Sequence, residues 1–393
     1  MREVVIAGAV RTPIAKFGGA LSGLSAAQLG SAAASEALRR AGVAPTQVEE
    51  TVFGCARQAG GGPNVARQVS YRAGVPAEVP AYTVNMACAS GLKAVDLAWR
   101  AIRDGDADVV LAGGVESMSR VPYLLTGARW GYRMGDQRVV DAMYQDGFLC
   151  PLAEQLMGET AEGLAADYRI SRDEQDAFAL TSQERAGRAL RAGRFEAEIV
   201  RVAVPGRKGE DEVRQDEHPR PETTPESLAK LAPVFKENGG TVTAGNSSGI
   251  TDGAAAMVLL SRERATALDV SPMARILGVA SAGVEPRRMG IGVVPAVRRL
   301  LERLAMGLEG FDLVEVNEAF AAQVLACDRE LKFDSQRLNV NGGAIALGHP
   351  IGATGARITV TLLHEMARRR ARRGLATLCV SGGMGLAAAF ESP

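Results

Sequence analysis

Val84-Asn85-Met86-Ala87-Cys88-Ala89-Ser90-Gly91 joins the end of an apolar segment to the start of an amphipathic one. Beyond it Leu92, Val95, Trp99 and Ile102 recur at helical spacing, and Gly105 supplies the stop. Asp108-Val109-Val110-Leu111-Ala112 then reads as a strand buried on both faces. The same order returns near the C-terminus. Val340-Asn341 precedes Thr354-Gly355, a second helical stretch follows, and Leu378 to Gly383 closes the unit. The second copy is longer, and the basic run Arg368-Arg369-Arg370-Ala371-Arg372-Arg373 is the predicted insertion. Spacing alone fits both a duplication and the general likeness of strand-turn-helix units.

Further buried strands are predicted at Val4-Val5-Ile6-Ala7, Met257-Val258-Leu259-Leu260, Leu313-Val314-Glu315-Val316 and Ala376-Thr377-Leu378-Cys379-Val380. Helical stretches lie between several of them, which makes this an α/β protein with helix-covered sheets. From about residue 117 to 246 the pattern changes to loops and polar helices. Ser171-Arg172-Asp173-Glu174 carries a capping-box pattern, and Pro205 through Pro225 is charged and predicted to be exposed. This stretch reads as an insertion over the core, of the kind that supplies substrate contacts.

Composition bounds the function. The chain has 393 residues and 47% hydrophobic content, enough for two or three domains at roughly 150 residues each. Lys plus Arg and Asp plus Glu both total 45, so no global field would concentrate a nucleic acid. No apolar run approaches the ~18 residues of a membrane span, and the N-terminal apolar run after Met1 is too short for a signal peptide. The odd count of five cysteines (Cys55, Cys88, Cys150, Cys327, Cys379), without close pairing, points to free thiols in a reducing cytoplasm.

Chemistry gathers at a few positions. Cys88 lies one turn before a helix, where unpaired N–H groups and the dipole favour a thiolate; equally, a lone cysteine packs as a small apolar side chain. A base must take its proton, and there are only three histidines. His364 falls within a helix beside the basic run and reads as a surface residue, and His218 lies in the charged loop. His349 is set in Asn341-Gly342-Gly343-Ala344-Ile345-Ala346-Leu347-Gly348-His349-Pro350-Ile351-Gly352-Ala353-Thr354-Gly355, a loop too rich in glycine for packing alone to explain. It has neither dinucleotide nor P-loop spacing. Cys379 ends a strand before Ser381-Gly382-Gly383-Met384-Gly385, while Cys55, Cys150 and Cys327 read as structural. Asn317, in Glu315-Val316-Asn317-Glu318-Ala319-Phe320, has a plain alternative as a helix N-cap.

Taken together, Asn85 to Gly91, Asn317-Glu318-Ala319-Phe320, the Asn341 to Gly355 loop and Cys379 with its glycines resemble the thiolase family over nearly the whole chain. The resemblance implies a thiolase-like α/β fold: two duplicated halves forming a five-layered αβαβα core, with an inserted loop domain. The halves would be residues 1–116 plus 247–265 and residues 266–393, with a CoA-binding insertion at 117–246. It implies an acetyl-CoA C-acyltransferase that cleaves or forms 3-ketoacyl-CoA through an acyl-cysteine. Cys88 would take the acyl group, His349 would activate it, Cys379 would handle the proton of the acetyl-CoA carbon, and Asn317 would hold a water beside His349. Backbone N–H groups of Cys88 and Ser381 would form an oxyanion hole. CoA would meet Met157, Arg220, Phe235, Ala244, Ser248, Ala319 and Phe320. CoA and acyl-CoA enter as substrates, no metal or other cofactor is implied, and a homodimer or homotetramer is expected. Two positions depart from the bacterial acetoacetyl-CoA thiolase pattern: Leu156 stands where that pattern has His, and Ser381 where it has Gly.

Overall fold

Segments too uniformly apolar to leave a face in water become the strands of one ten-stranded mixed sheet. The computed structural model describes residues 2–206 and 209–393; Met1 of the predicted first strand, and Arg207 and Lys208 of the charged loop, lie outside the described residues. The nine principal strands are β1 (Val4–Arg11), β2 (Glu50–Gly54), β3 (Ala81–Val84), β4 (Val109–Ser117), β5 (Thr251–Ser261), β6 (Ala274–Gly283), β7 (Leu313–Val316), β8 (Arg373–Val380) and β9 (Met384–Glu391). The helices that cover them are α1 (Ala26–Ala41), α2 (Val65–Arg72), α3 (Ser90–Asp104), α4 (Met157–Asp167), α5 (Arg172–Arg191), α6 (Val293–Leu304), α7 (Ala321–Leu331) and α8 (Ile351–Arg369).

The strand order is β7-β8-β9-β6-β1-β5-β4-β2-β3, with the two-residue strand Ala15–Lys16 paired to β5. Each half has the same pairing. β2 runs parallel to β4 and β4 antiparallel to β5; β7 runs parallel to β8 and β8 antiparallel to β9. The counterpart of β3 shrinks to a single parallel bridge between Leu338 and Val314. Within the sheet, the described strands of the two halves meet at Val5 with Arg275 and Ile6 with Ala274.

Alternation along the strands builds five layers. Val4 and Ile6 of β1, and Ala376, Leu378 and Val380 of β8, point into a central cluster shared with Leu92, Val95 and Ile102 of α3 and Ile358 and Leu362 of α8. Val5 and Ala7 point the other way, under α1 and α2. Leu375 and Cys379 likewise face the cluster that holds α6 and α7. The order is therefore helix, sheet, paired helices α3 and α8, sheet, helix. Trp99 of α3 is only half-buried, with Arg103 4.8 Å from its ring centroid.

Several local expectations are corrected. The basic run is not an insertion: α8 continues to Arg369, Arg370 caps it with φ 55°, and β8 begins at Arg373. Counted from the matching glycines the two helices are nearly equal, 15 residues from Gly355 to Arg369 against 14 from Gly91 to Asp104. His364 is not a surface residue but a half-buried brace whose Nε2 bonds the Ala9 carbonyl at 2.9 Å. Nor is the charged loop wholly exposed. Asp216 is buried and takes both Nη1 and Nη2 of Arg11 at 2.7 and 2.9 Å, while Arg11 Nε reaches Glu198 at 2.5 Å. Ser171 does cap α5 through a reciprocal bond with Glu174. None of the five cysteines forms a disulfide.

Candidate active site

Cys88 is presented by a strained turn. Ala87, just before it, has φ 44°, in the left-handed region that costs an L-residue about 1–2 kcal/mol. Side chains on both sides hold the turn: Asn85 Oδ1 accepts the Ala87 N–H at 2.9 Å, and Ser90 Oγ accepts from Met86 N–H at 2.9 Å while donating to the Ala87 carbonyl at 2.7 Å. A short 3-10 turn, Ala87–Ala89, then runs into α3. Gly91 lets α3 and α8 start backbone against backbone, since a Cβ there would lie 2.7 Å from the Ala356 nitrogen and 3.0 Å from the Gly352 carbonyl. That close approach brings the loop before α8, with His349, onto Cys88.

His349 is buried, and its chemistry is set by one hydroxyl. Thr354 Oγ1 donates to the Pro350 carbonyl at 2.9 Å, so its lone pairs face His349 Nδ1 at 2.6 Å. Nδ1 therefore carries the hydrogen, and Nε2, which has no partner, keeps a free lone pair. Burial, aided by the charges of Arg357 and Arg57, lowers its pKa to about 3. A neutral imidazole with an open Nε2 is a base in waiting.

The two thiols are both protonated at rest. Burial pushes the Cys88 thiol up, opposed by the Arg57 charge and by the Ser381 backbone N–H. The expected thiolate at a helix N-terminus is thus corrected: desolvation outweighs the Arg57 charge and the backbone N–H groups of Ser381 and Cys88, and deprotonation must accompany attack. Burial pushes Cys379 well above the ordinary thiol range, with the nearby Cys88 sulfur adding to it. After β8 the chain turns through Ser381, Gly382 and Gly383, and both glycines have φ 86°. Ser381 lies outside the left-handed region, so a side chain there is tolerated and its N–H still meets the Cys88 sulfur.

Asn317 is fully buried at the end of β7, and neither Oδ1 nor Nδ2 has a protein partner. It is not an N-cap; that position of α7 belongs to Phe320. Orphaned buried amide atoms are where an ordered water or a ligand binds. Next to it, Glu318 ties three segments together through Ser182 Oγ (2.7 Å), Asn339 Nδ2 (2.9 Å) and Ile345 N–H (3.2 Å). Gly343 makes room, since its Cβ would lie 2.2 Å from the Glu318 carboxyl carbon.

A cavity of about 570 Å³ opens onto these groups. Cys88, His349, Cys379 and Ser381 line it, and so do Met157, Arg220, Phe235, Ala244, Ser248, Ala319 and Phe320. Asn317 alone among the expected residues stands behind the wall. Phe235 and Phe320 meet edge to face at 6.1 Å, and Gly158 lets the Phe235 ring lie on the start of α4. Leu156 is also in the lining, giving an apolar contact. His218, set aside in the sequence, lines the cavity too. Its Nδ1 donates to the Ala346 carbonyl at 2.8 Å, and burial lowers its pKa. Arg57, Tyr144 and Phe148 were missed because no local pattern marks them. Glu116 was missed as well, although an acid closing an apolar strand was a signal. It is buried and accepts N–H groups of Ala56 (3.1 Å), Arg57 (3.0 Å) and Gly352 (2.8 Å), locking the loop after β2 to α8. Among the described residues no cluster of His, Cys, Asp or Glu fits a metal ion, and no helix is long and apolar enough to cross a membrane.

Repeated α/β halves share a cavity that two thiols and a histidine line, an arrangement suited to carrying a group on sulfur. The family model for the thiolase N-terminal domain matches residues 4–263, and that for the thiolase C-terminal domain matches residues 270–392. The chain is 50% identical to an acetyl-CoA acetyltransferase of Syntrophomonas wolfei, over 100% of this chain and 99% of the relative. It is 52% identical to a beta-ketoadipyl-CoA thiolase of Pseudomonas aeruginosa, over 99% of each. The crystal structure of the Bacillus anthracis acetyl-CoA acetyltransferase superposes with a TM-score of 0.98 at 45% identity, covering 100% of this chain and 99% of that one. The chain belongs to the thiolase family.

Proposed function

We propose that the protein is an acetyl-CoA C-acyltransferase that cleaves a 3-ketoacyl-CoA, acetoacetyl-CoA or longer, with CoA, or runs the reverse condensation. The observation that carries this reading is the open Nε2 of a neutral His349 on the same cavity as two protonated thiols. His349 takes the Cys88 proton as the sulfur attacks the 3-keto carbon, and the N–H groups of Cys88 and Ser381 receive the charge that grows on the oxygen. The C2–C3 bond then breaks. Its electrons pass into the enolate of acetyl-CoA, whose oxygen is met by His349 and a water on Asn317. The Cys379 thiol gives C2 its proton. A second CoA thiol attacks the acyl-Cys88 thioester, its proton restoring Cys379, while His349 returns a proton to the leaving Cys88 sulfur. CoA thus enters as a substrate, and the sequence of steps is ping-pong.

Met157, Phe235, Ala244, Ala319 and Phe320 form the apolar bed for the pantetheine arm, Ser248 adds a hydroxyl to it, and the exposed Arg220 at the rim suits a phosphate. The working division is an N-terminal half at 1–116 with 247–265, an inserted CoA-binding unit at 117–246 and a C-terminal half at 266–393; β4 and β5 pairing across the insertion supports it. A homodimer or homotetramer is the assembly, supported by Trp130 and Met134 standing 88% exposed in the insertion, and five free thiols suit a reducing cytoplasm.

The test pairs two variants. Cys88→Ala abolishes thiolysis of acetoacetyl-CoA while CoA binding remains measurable by calorimetry, and undiminished turnover would overturn the assignment. Cys379→Ser gains the mass of an acetyl group on incubation with acetyl-CoA yet makes no carbon–carbon bond; loss of acylation in that variant would show the thiol roles to be wrong.

A further inference from the structure

Two buried charged groups are left over behind the site. Arg357, in α8, is 1% exposed, and none of its Nε, Nη1 and Nη2 atoms has a protein partner. Glu315, in β7, is 3% exposed, and its Oε2 is likewise unpartnered. The neighbouring acids are already spent. Glu198 holds Arg11 Nε and accepts the Thr361 hydroxyl at 3.0 Å, while Glu318 holds Ser182, Asn339 and Ile345. Burial pushes the Glu315 carboxyl up and the Arg357 guanidinium down, and on each the other's charge is the foremost opposing influence. Among the described residues the two form no ion pair within 4.0 Å. Buried polar groups that face one another beyond direct reach are completed by ordered water.

Their places in the chain tie them to the reaction. Leu313 of β7 points into the central cluster while Val314 and Val316 point away from it, so Glu315 and then Asn317 follow Leu313 onto the side of α8. Arg357 lies one turn beyond Thr354, the hydroxyl that accepts from His349 Nδ1. The pair thus stands one step behind the two groups that meet at the enolate oxygen, Asn317 on the β7 side and His349 on the α8 side. β7 needs such a hold. It is an edge strand whose one neighbour, β8, pairs with it over four residues, with a single further bridge to Leu338. By contrast α8 is buried along its length from Ile351 to Leu363.

We propose that Glu315 and Arg357 form a water-bridged buried pair that sets the distance between Asn317 and His349, and so act as positioning residues for the carbon–carbon step. This rests on the thiolase reading above and deepens it. Acylation of Cys88 uses His349 Nε2 and the N–H groups of Cys88 and Ser381, none of which β7 carries. Holding the enolate oxygen uses His349 and the water on Asn317 together, and a misplacement of about 1 Å at such a site costs about a hundredfold. Loosening the pair therefore slows the second step and spares the first.

The experiment follows both steps in Glu315→Gln, in Glu315→Leu and in the double variant Glu315→Leu with Arg357→Met. Rapid quench and intact mass read acetyl-enzyme formation from acetyl-CoA, and steady-state thiolysis of acetoacetyl-CoA gives kcat and KM. In Glu315→Leu and in the double variant kcat falls about tenfold to a hundredfold, while KM and the rate of acetyl-enzyme formation stay within about threefold. Glu315→Gln, which keeps the shape and the hydrogen bonding, shows a smaller loss of kcat. Glu315→Leu strands the Arg357 charge and lowers the urea midpoint; the double variant strands nothing and regains that stability. It does not regain kcat, a separation that a merely structural pair would not give. Unchanged kcat in Glu315→Leu, equal loss of acetyl-enzyme formation, or recovery of kcat along with stability in the double variant overturns the inference. If Glu315→Leu does not fold, Glu315→Gln and the double variant carry the same comparison. In each of these cases cleavage of acetoacetyl-CoA by the unaltered protein leaves the thiolase reading intact, and if the unaltered protein does not cleave it, both fall.

Discussion

Thr354→Val isolates the group that sets the base. The substitution keeps the shape of the side chain and removes the hydroxyl that accepts from His349 Nδ1 at 2.6 Å and donates to the Pro350 carbonyl at 2.9 Å. A buried N–H left without an acceptor costs about 1–3 kcal/mol, and the imidazole can escape that cost by moving its hydrogen to Nε2. That tautomer has no lone pair for the Cys88 proton. At about 1.4 kcal/mol per factor of ten, the rate of Cys88 acylation drops about 5- to 150-fold. Rapid-quench measurement of acetyl-enzyme formation from acetyl-CoA reads this step directly, and KM for CoA serves as the control for binding. Thr354→Ser, which keeps the hydroxyl, restores most of the rate. Acylation within about twofold of the unaltered protein in Thr354→Val, or equal loss in Thr354→Ser, would refute the reasoning.

Two further outcomes follow from buried charges. His349 titrates at about 3 in the fold and near 6.5 when unfolded, so the unfolded chain binds this proton first. Stability from this group is present above pH 6.5 and falls as pH drops toward 3, a loss of about 2 kcal/mol between pH 7.5 and pH 5. Urea midpoints at the two pH values should converge in His349→Asn, and an unchanged difference would count against it. Arg11→Met strands Glu198 and Asp216 in the interior without their cation. Unfolding free energy should fall by about 3–5 kcal/mol, and adding Glu198→Gln with Asp216→Asn should recover part of it; a melt unaffected by Arg11→Met would show that the pair is not structural.

How far the sequence could be read depended on whether the cause was local. Leu92, Val95 and Ile102 repeat at helical spacing, and they are buried on α3 as that spacing requires. His349 could be picked out because a glycine-dense loop is a feature of neighbouring residues, whereas Cys88, whose turn before a helix also suits a packed cysteine, stood out through the likeness of its motif to the thiolase family. Arg57 and His218 could not, because their neighbours in the chain say nothing about a cavity. His218 sits in a charged stretch, yet that stretch folds back to bury Asp216 against Arg11 and to lay His218 beside Gly249.

The sequence by itself carried the strand and helix pattern, and its likeness to the thiolase family pointed to two α/β halves, to two thiols and a histidine, and to residues that line the cavity. Only the tertiary structure decided the state of those groups. The Cys88 thiol is raised by burial and not lowered by its helix, and the free nitrogen of His349 is chosen by a hydroxyl five residues away. Desolvation and hydrogen-bond commitment depend on what surrounds an atom in space, and a linear pattern does not carry that.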